Sequence, residues 1–148
     1  MEIRSVAFSQ NGSIPAKYTC EGDDVNPPIE ILAVPEKTKT LALIMEDPDA
    51  PSGTFIHWVH WNFRPGDVIA EGNTPGVDGI NSFGKLGYGG PCPPSGSHRY
   101  YFRVYALDKE LDILPGVDKK ALLKAMEGHV LETAELMGRY QRKTVGAG

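Results

Sequence analysis

The sequence predicts a β-rich sandwich with one or two helices packed outside it, near the C-terminal end. Three observations predict this class. Short apolar segments recur between turn residues, and the 148-residue chain holds 17 Gly and 12 Pro, which suits many turns and few long helices. In the segment RYYFRVYAL, Tyr100, Phe102, Val104 and Ala106 share one face by the two-residue period of a strand. Helical spacing appears only late, after the turn Leu114-Pro115-Gly116.

In chain order, residues 2–9 alternate loosely and are read as a strand, closed by the turn Asn11-Gly12-Ser13. The acidic stretch YTCEGDDVNPP is a loop; its Glu21, Asp23 and Asp24 read as a solvated run or local Asx turns. Residues 29–34 form a short apolar strand that Pro35 ends. Residues 38–46, TKTLALIME, form another, and their unbroken apolar run predicts burial on both faces. Residues 55–63 make an aromatic strand, residues 66–90 are glycine-rich ordered loops, and residues 99–107 are the clearest strand. Asp118 is placed to cap a helix. Leu122, Met126, Val130 and Met137 recur at near-helical spacing, so residues 118–140 read as helix, with Gly128 splitting it in two. This apolar face is expected to pack on a sheet. The tail KTVGAG is expected to fray.

The length suits one domain spanning residues 1–148. The net charge of −4 and the absence of basic stripes or zinc-finger spacing exclude nucleic acid as a partner. The N-terminus lacks a basic segment followed by an apolar one, so no signal peptide is expected. No apolar run approaches the roughly 20 residues that span a bilayer. A cytoplasmic protein follows. Cys20 and Cys92 fit no zinc pattern, and neither metal nor cofactor is called for. In a reducing compartment they are two free thiols, with a disulfide as the alternative. They are not both expected to line an anion pocket, because neither offers a useful donor at neutral pH.

Chemistry-bearing residues concentrate in two stretches. The first, DPDAPSGTFIHWVHWN, begins at Asp47; the second, GGPCPPSGSHRYYFRVYAL, begins at Gly89. Together they contain both tryptophans and three of the four histidines. Proline pushes the residue before it into extended backbone, so Asp47 and Asp49 sit on a rigid turn. Strand alternation places His57, Val59 and Trp61 on one face and Trp58, His60 and Asn62 on the other. The two histidines then point apart and cannot share a metal. His98 falls on the Tyr100 face, and Arg99 on the opposite one, facing a carboxylate such as Asp49. The GPCPPSGSH loop exposes backbone N–H groups but has too few for a phosphate loop.

These segments resemble the two signature motifs of the phosphatidylethanolamine-binding protein family, in its short prokaryotic Raf-kinase-inhibitor-like branch. IPAKYTCEGDDVNPP and EGHVLETAELMGRYQR extend the likeness over nearly the whole chain. The resemblance implies a Greek-key fold of two antiparallel sheets with a small anion pocket at one end. It implies that Asp47, His57, Gly90, Pro91, His98 and Tyr100 bind a phosphate-like anion or phospholipid headgroup. His60 stands where the family is usually apolar.

The physics agrees if Asp47 accepts from His57 or His98 and favours its protonated form, leaving the other ring nitrogen to donate. The Tyr100 hydroxyl adds a donor. The leading expectation is thus a non-enzymatic binding protein for a small anionic ligand, with a homodimer left open. A serine protease inhibitor, presenting a loop from residues 66–90, is the alternative. A hydrolase ranks below both; Cys92 would be its nucleophile, but no oxyanion loop accompanies it.

Overall fold

The computed structural model describes residues 1–143, and the tail from Thr144 onward lies outside them. Its strands are β1 (Glu2–Arg4), β2 (Glu30–Leu32), β3 (Thr40–Asp47), β4 (Phe55–Phe63), β5 (Val77–Asp78), β6 (His98–Leu107) and β7 (Val130–Tyr140), with one helix, α1 (Lys119–Met126), between the last two. Five strands form an antiparallel sheet in the order β5-β4-β3-β6-β7, and β1 pairs with β2 in a second, antiparallel pair. The fold is therefore mainly β, with two antiparallel sheets of unequal size and one helix.

Strand β3 lies in the middle of the large sheet and is buried along its whole length. On one face Leu41, Leu43 and Met45 pack with Trp58, Tyr100, Phe102, Val104 and Leu136. Ile3 and Ile31 of the small sheet, with Phe8 and Ile14, close over that layer. On the other face Ala42 and Ile44 meet Val59, Trp61, Leu122 and Met126. Burial on both faces is why this strand reads as a continuous apolar run.

The region after Asp118 departs from its sequence pattern. The Asp118 carboxylate accepts from the Ala121 N–H at 3.0 Å and starts α1 as expected. The helix ends at Met126, and Gly128 adopts φ +78°, a left-handed conformation that glycine takes without strain. Residues 130–140 then form not a second helix but β7, paired along the full length of β6. Leu122 and Met126 do pack on the sheet, whereas Val130 is exposed and Met137 is buried from a strand. A strand as apolar as β6 needs a partner, and that tertiary demand overrides the helical propensity of ETAELM.

Candidate functional site

The turn after β3 is locked before it meets anything else. Asp47 Oδ1 accepts from the Asp49 N–H at 2.7 Å, the Asx bond expected of a short acidic side chain in a turn. Its other oxygen, Oδ2, accepts from His98 Nδ1 at 2.6 Å. Asp49 takes the next residue of β6: it accepts from the Arg99 backbone N–H and Nε at 2.9 Å each and from Nη2 at 2.7 Å. These bonds from the Arg99 guanidinium hold the Asp49 carboxyl down at about 2. Two adjacent residues of β6 thus clasp two carboxylates of the DPDAP turn. Arg99 faces away from Tyr100, as the alternation requires.

His57 does not follow the alternation. Met45 pairs with Trp58 and Glu46 with Ile56, so His57 is an extra residue in β4, a β-bulge. The bulge turns its ring toward Tyr100, with centroids 5.2 Å apart, instead of onto the Val59 and Trp61 face. His57 Nδ1 donates to the Gly89 carbonyl at 2.7 Å. Asp47 therefore orients His98 and not His57. Burial lowers the His57 pKa, outweighing the Gly89 carbonyl and the more distant Asp47 carboxylate. A neutral ring with its proton on Nδ1 carries a lone pair on Nε2, so His57 offers an acceptor where the sequence suggested a donor.

His98, His57, Asp47 and Tyr100 line one cavity of about 330 Å³. Ala50, Pro51 and Phe55 form part of its wall, and Phe83, Pro93 and Pro94 another part. No Lys or Arg lines it. The Tyr100 hydroxyl is buried there beside the Asp47 carboxylate, without well-formed hydrogen-bond geometry to it. Burial, then the nearby negative charge of Asp47, raises its pKa well above the usual phenol range. It stays a hydroxyl, which can donate to Asp47 or to a ligand oxygen. A wider groove of about 680 Å³ runs between α1 and residues 80–82, but its charged groups are surface lysines and acids, without a histidine.

His60 is not in the cavity. It packs on Trp58 and Phe63, its Nδ1 donating to Asp78 at 2.7 Å and its Nε2 accepting from the Gly76 N–H at 3.0 Å. Both nitrogens are used structurally. Gly90 and Pro91 are absent from the cavity lining as well. The Gly90 N–H donates to Asp24 at 2.7 Å, and a Cβ at this position would lie 2.3 Å from the Tyr18 carbonyl. The Pro91 carbonyl accepts from the Cys20 N–H. These residues join the acidic loop to the cavity loop, next to Cys92.

The same junction overturns the reading of two free thiols. Cys20 and Cys92 form a disulfide, with Cα atoms 5.4 Å apart, inside the range that such a bond spans. Cys92 lines the cavity and Cys20 does not. Among the described residues no cluster of His, Cys, Asp and Glu is arranged to hold a metal ion, and no helix is long and apolar enough to cross a membrane.

The fold and this clasped histidine can be compared with known proteins. The model of the phosphatidylethanolamine-binding protein family matches residues 4–141. The chain belongs to this family. A UPF0098 protein from Methanothermobacter thermautotrophicus is 49% identical, covering 96% of this chain and 99% of that one. Another, from Pyrococcus horikoshii, is also 49% identical over 97% of this chain and 77% of its own. The crystal structure of a putative phosphatidylethanolamine-binding protein homologue from Chlamydia trachomatis superposes with a TM-score of 0.92 at 46% identity, covering 95% and 97% of the two chains. Escherichia coli YbcL, described as a member of the mammalian family, gives 0.87 at 27% identity, covering 96% and 98%.

In this phosphatidylethanolamine-binding protein relative, sequence reasoning missed the aromatic wall. In the sequence, residues 55–63 read only as an aromatic strand and residues 66–90 only as ordered loops. Nothing in the local sequence signals that residues 28 positions apart place their rings 4.7 Å from each other. The bulge at His57 was equally hidden, since a bulge is defined by the partner strand.

The neutral His57 makes a testable demand on stability. Its folded pKa lies below its unfolded value of about 6.5, so the unfolded chain binds the proton more tightly. Its contribution to stability is complete above about pH 6.5 and is lost as pH falls below that value. Urea unfolding should therefore show a steeper loss between pH 7 and 5 for the wild type than for His57→Asn, whose amide can still donate to Gly89. Parallel slopes would show that His57 is not held neutral.

Proposed function

We propose that this protein is a non-enzymatic binder of a small phosphate-like anion, with a phosphomonoester head as the preferred form. The observation that carries the proposal is the convergence of a carboxylate-oriented histidine with a buried tyrosine hydroxyl in one cavity. Tyr100 donates to an anionic oxygen, and His98, its Nδ1–H held by Asp47, donates from Nε2 as the imidazolium. His57 offers a lone pair. A monoanion that keeps one P–OH satisfies both kinds of partner, while a dianion opposes that lone pair and gains no Lys or Arg in return. Disulfide bonding removes Cys92, the only nucleophile the sequence offered, which favours binding over hydrolysis.

Calorimetric titration with methyl phosphate tests this reading. His98→Ala should weaken binding by roughly 1.5–3 kcal/mol, the loss of a hydrogen bond to a charged group. His129→Ala is the control, because that histidine pairs with Asp108 at the half-exposed surface. His60 is unsuitable, being fully buried and bonded at both nitrogens. Affinity should fall as pH rises through the ester's second ionisation near pH 6, where the P–OH is lost. Sulfate, dianionic throughout, should bind less tightly than the monoester at low pH. Equal affinities in wild type and His98→Ala would refute the proposal.

A further inference from the structure

We infer that the cavity selects a phosphomonoester whose ester group is an aromatic ring, and that Phe55 and Phe83 are the wall that reads it. The inference rests on the anion-binding reading above and adds a ligand class to it.

Phe83 is 44% exposed and belongs to neither core cluster, yet its position is tightly determined. The buried Asn81 side chain accepts from the Phe83 N–H at 2.9 Å and from the Lys85 N–H at 3.1 Å, and donates to the Gly87 carbonyl at 3.0 Å. One polar side chain thus shapes the whole loop tip. Gly89 leaves room for the ring; a Cβ there would sit 2.4 Å from Phe83 Cδ2. The ring stands edge-on to Phe55, with centroids 4.7 Å apart, and to His57 at 5.4 Å.

An apolar ring fixed in place but left half in water gains little from folding itself. Its remaining surface is available to a ligand, and aromatic rings favour stacked or edge-on aromatic partners. The cavity also lacks the Lys or Arg that would make charge sufficient for affinity. With Asp47 and His98 paired, the site holds its anion by a few hydrogen bonds. Contact with the Phe55–Phe83 wall then decides between ligands that carry the same head.

The experiment is titration of the full chain at about pH 5.5, where phosphomonoesters are mostly monoanionic, with methyl phosphate and phenyl phosphate. Phenyl phosphate should bind at least about tenfold more tightly to the wild type. In Phe83→Ala and Phe83→Leu that ratio should fall below about threefold, circular dichroism confirming that both variants are folded. The wild-type ratio needs no variant, so a misfolded mutant cannot hide the answer. A ratio near one in the wild type, or an unchanged ratio in a folded Phe83→Ala, overturns the inference. If both esters bind alike and both lose affinity in His98→Ala, the anion site stands and the aromatic wall falls. If neither ester binds the wild type, both readings fall together.

Discussion

Replacing Cys20 and Cys92 together by serine should lower the stability of the oxidised protein by about 4 kcal/mol, the chain-entropy value for a loop of this length. The two cysteines are 72 residues apart in sequence, so the bond restricts a large part of the unfolded chain. The folded state is also held at this junction without the disulfide. The Cys20 N–H donates to Pro91, the Gly90 N–H to Asp24, and the Tyr88 hydroxyl to the Tyr18 carbonyl. The double variant should therefore fold to the same structure with a lower urea midpoint. Reducing the wild type should give the same midpoint as the variant. A midpoint that changes by less than a tenth of the wild-type value would mean that the unfolded chain already keeps these loops together.

Leu122→Ala should cost about 2–5 kcal/mol, because the side chain is fully buried and the sheet beneath it cannot close the space. For a chain of this size that is a fall in Tm of roughly 6–20 °C. Leu122 lies with Trp61, Ile44 and Met126 in the layer between α1 and the sheet. Val130, which continues the same helical spacing in the sequence, sits exposed at the start of β7. Val130→Ala should accordingly change stability by less than about 1 kcal/mol. Thermal unfolding of both variants distinguishes a helix that ends at Met126 from one that runs on. Equal losses would contradict the turn at Gly128.

Much of the site was legible because its residues lie in short, rigid segments. Asp47 precedes a proline, and His98 starts a strand of strict alternation, so each direction follows from local backbone rules. The Asp49–Arg99 pair came from the same alternation. The disulfide, the taken N–H of Gly90 and the aromatic wall were not legible. Each depends on which loops lie side by side, and loop adjacency leaves no periodic trace in sequence.

The sequence by itself determined the strands that cross the core, the capped start of the helix and the pairing of two motifs into one site. Those features are repeated locally: apolar spacing, proline punctuation and side-chain chemistry act over a few residues. Only the tertiary structure decided that residues 130–140 extend along β6, since strand pairing outweighs helical propensity when an apolar partner is waiting. It alone decided that His57 bulges toward Tyr100, because a bulge exists only in relation to the neighbouring strand. Through that one extra residue His57, expected in the pocket but grouped by alternation with Val59 and Trp61, reaches the cavity from the Tyr100 side, and burial makes it an acceptor.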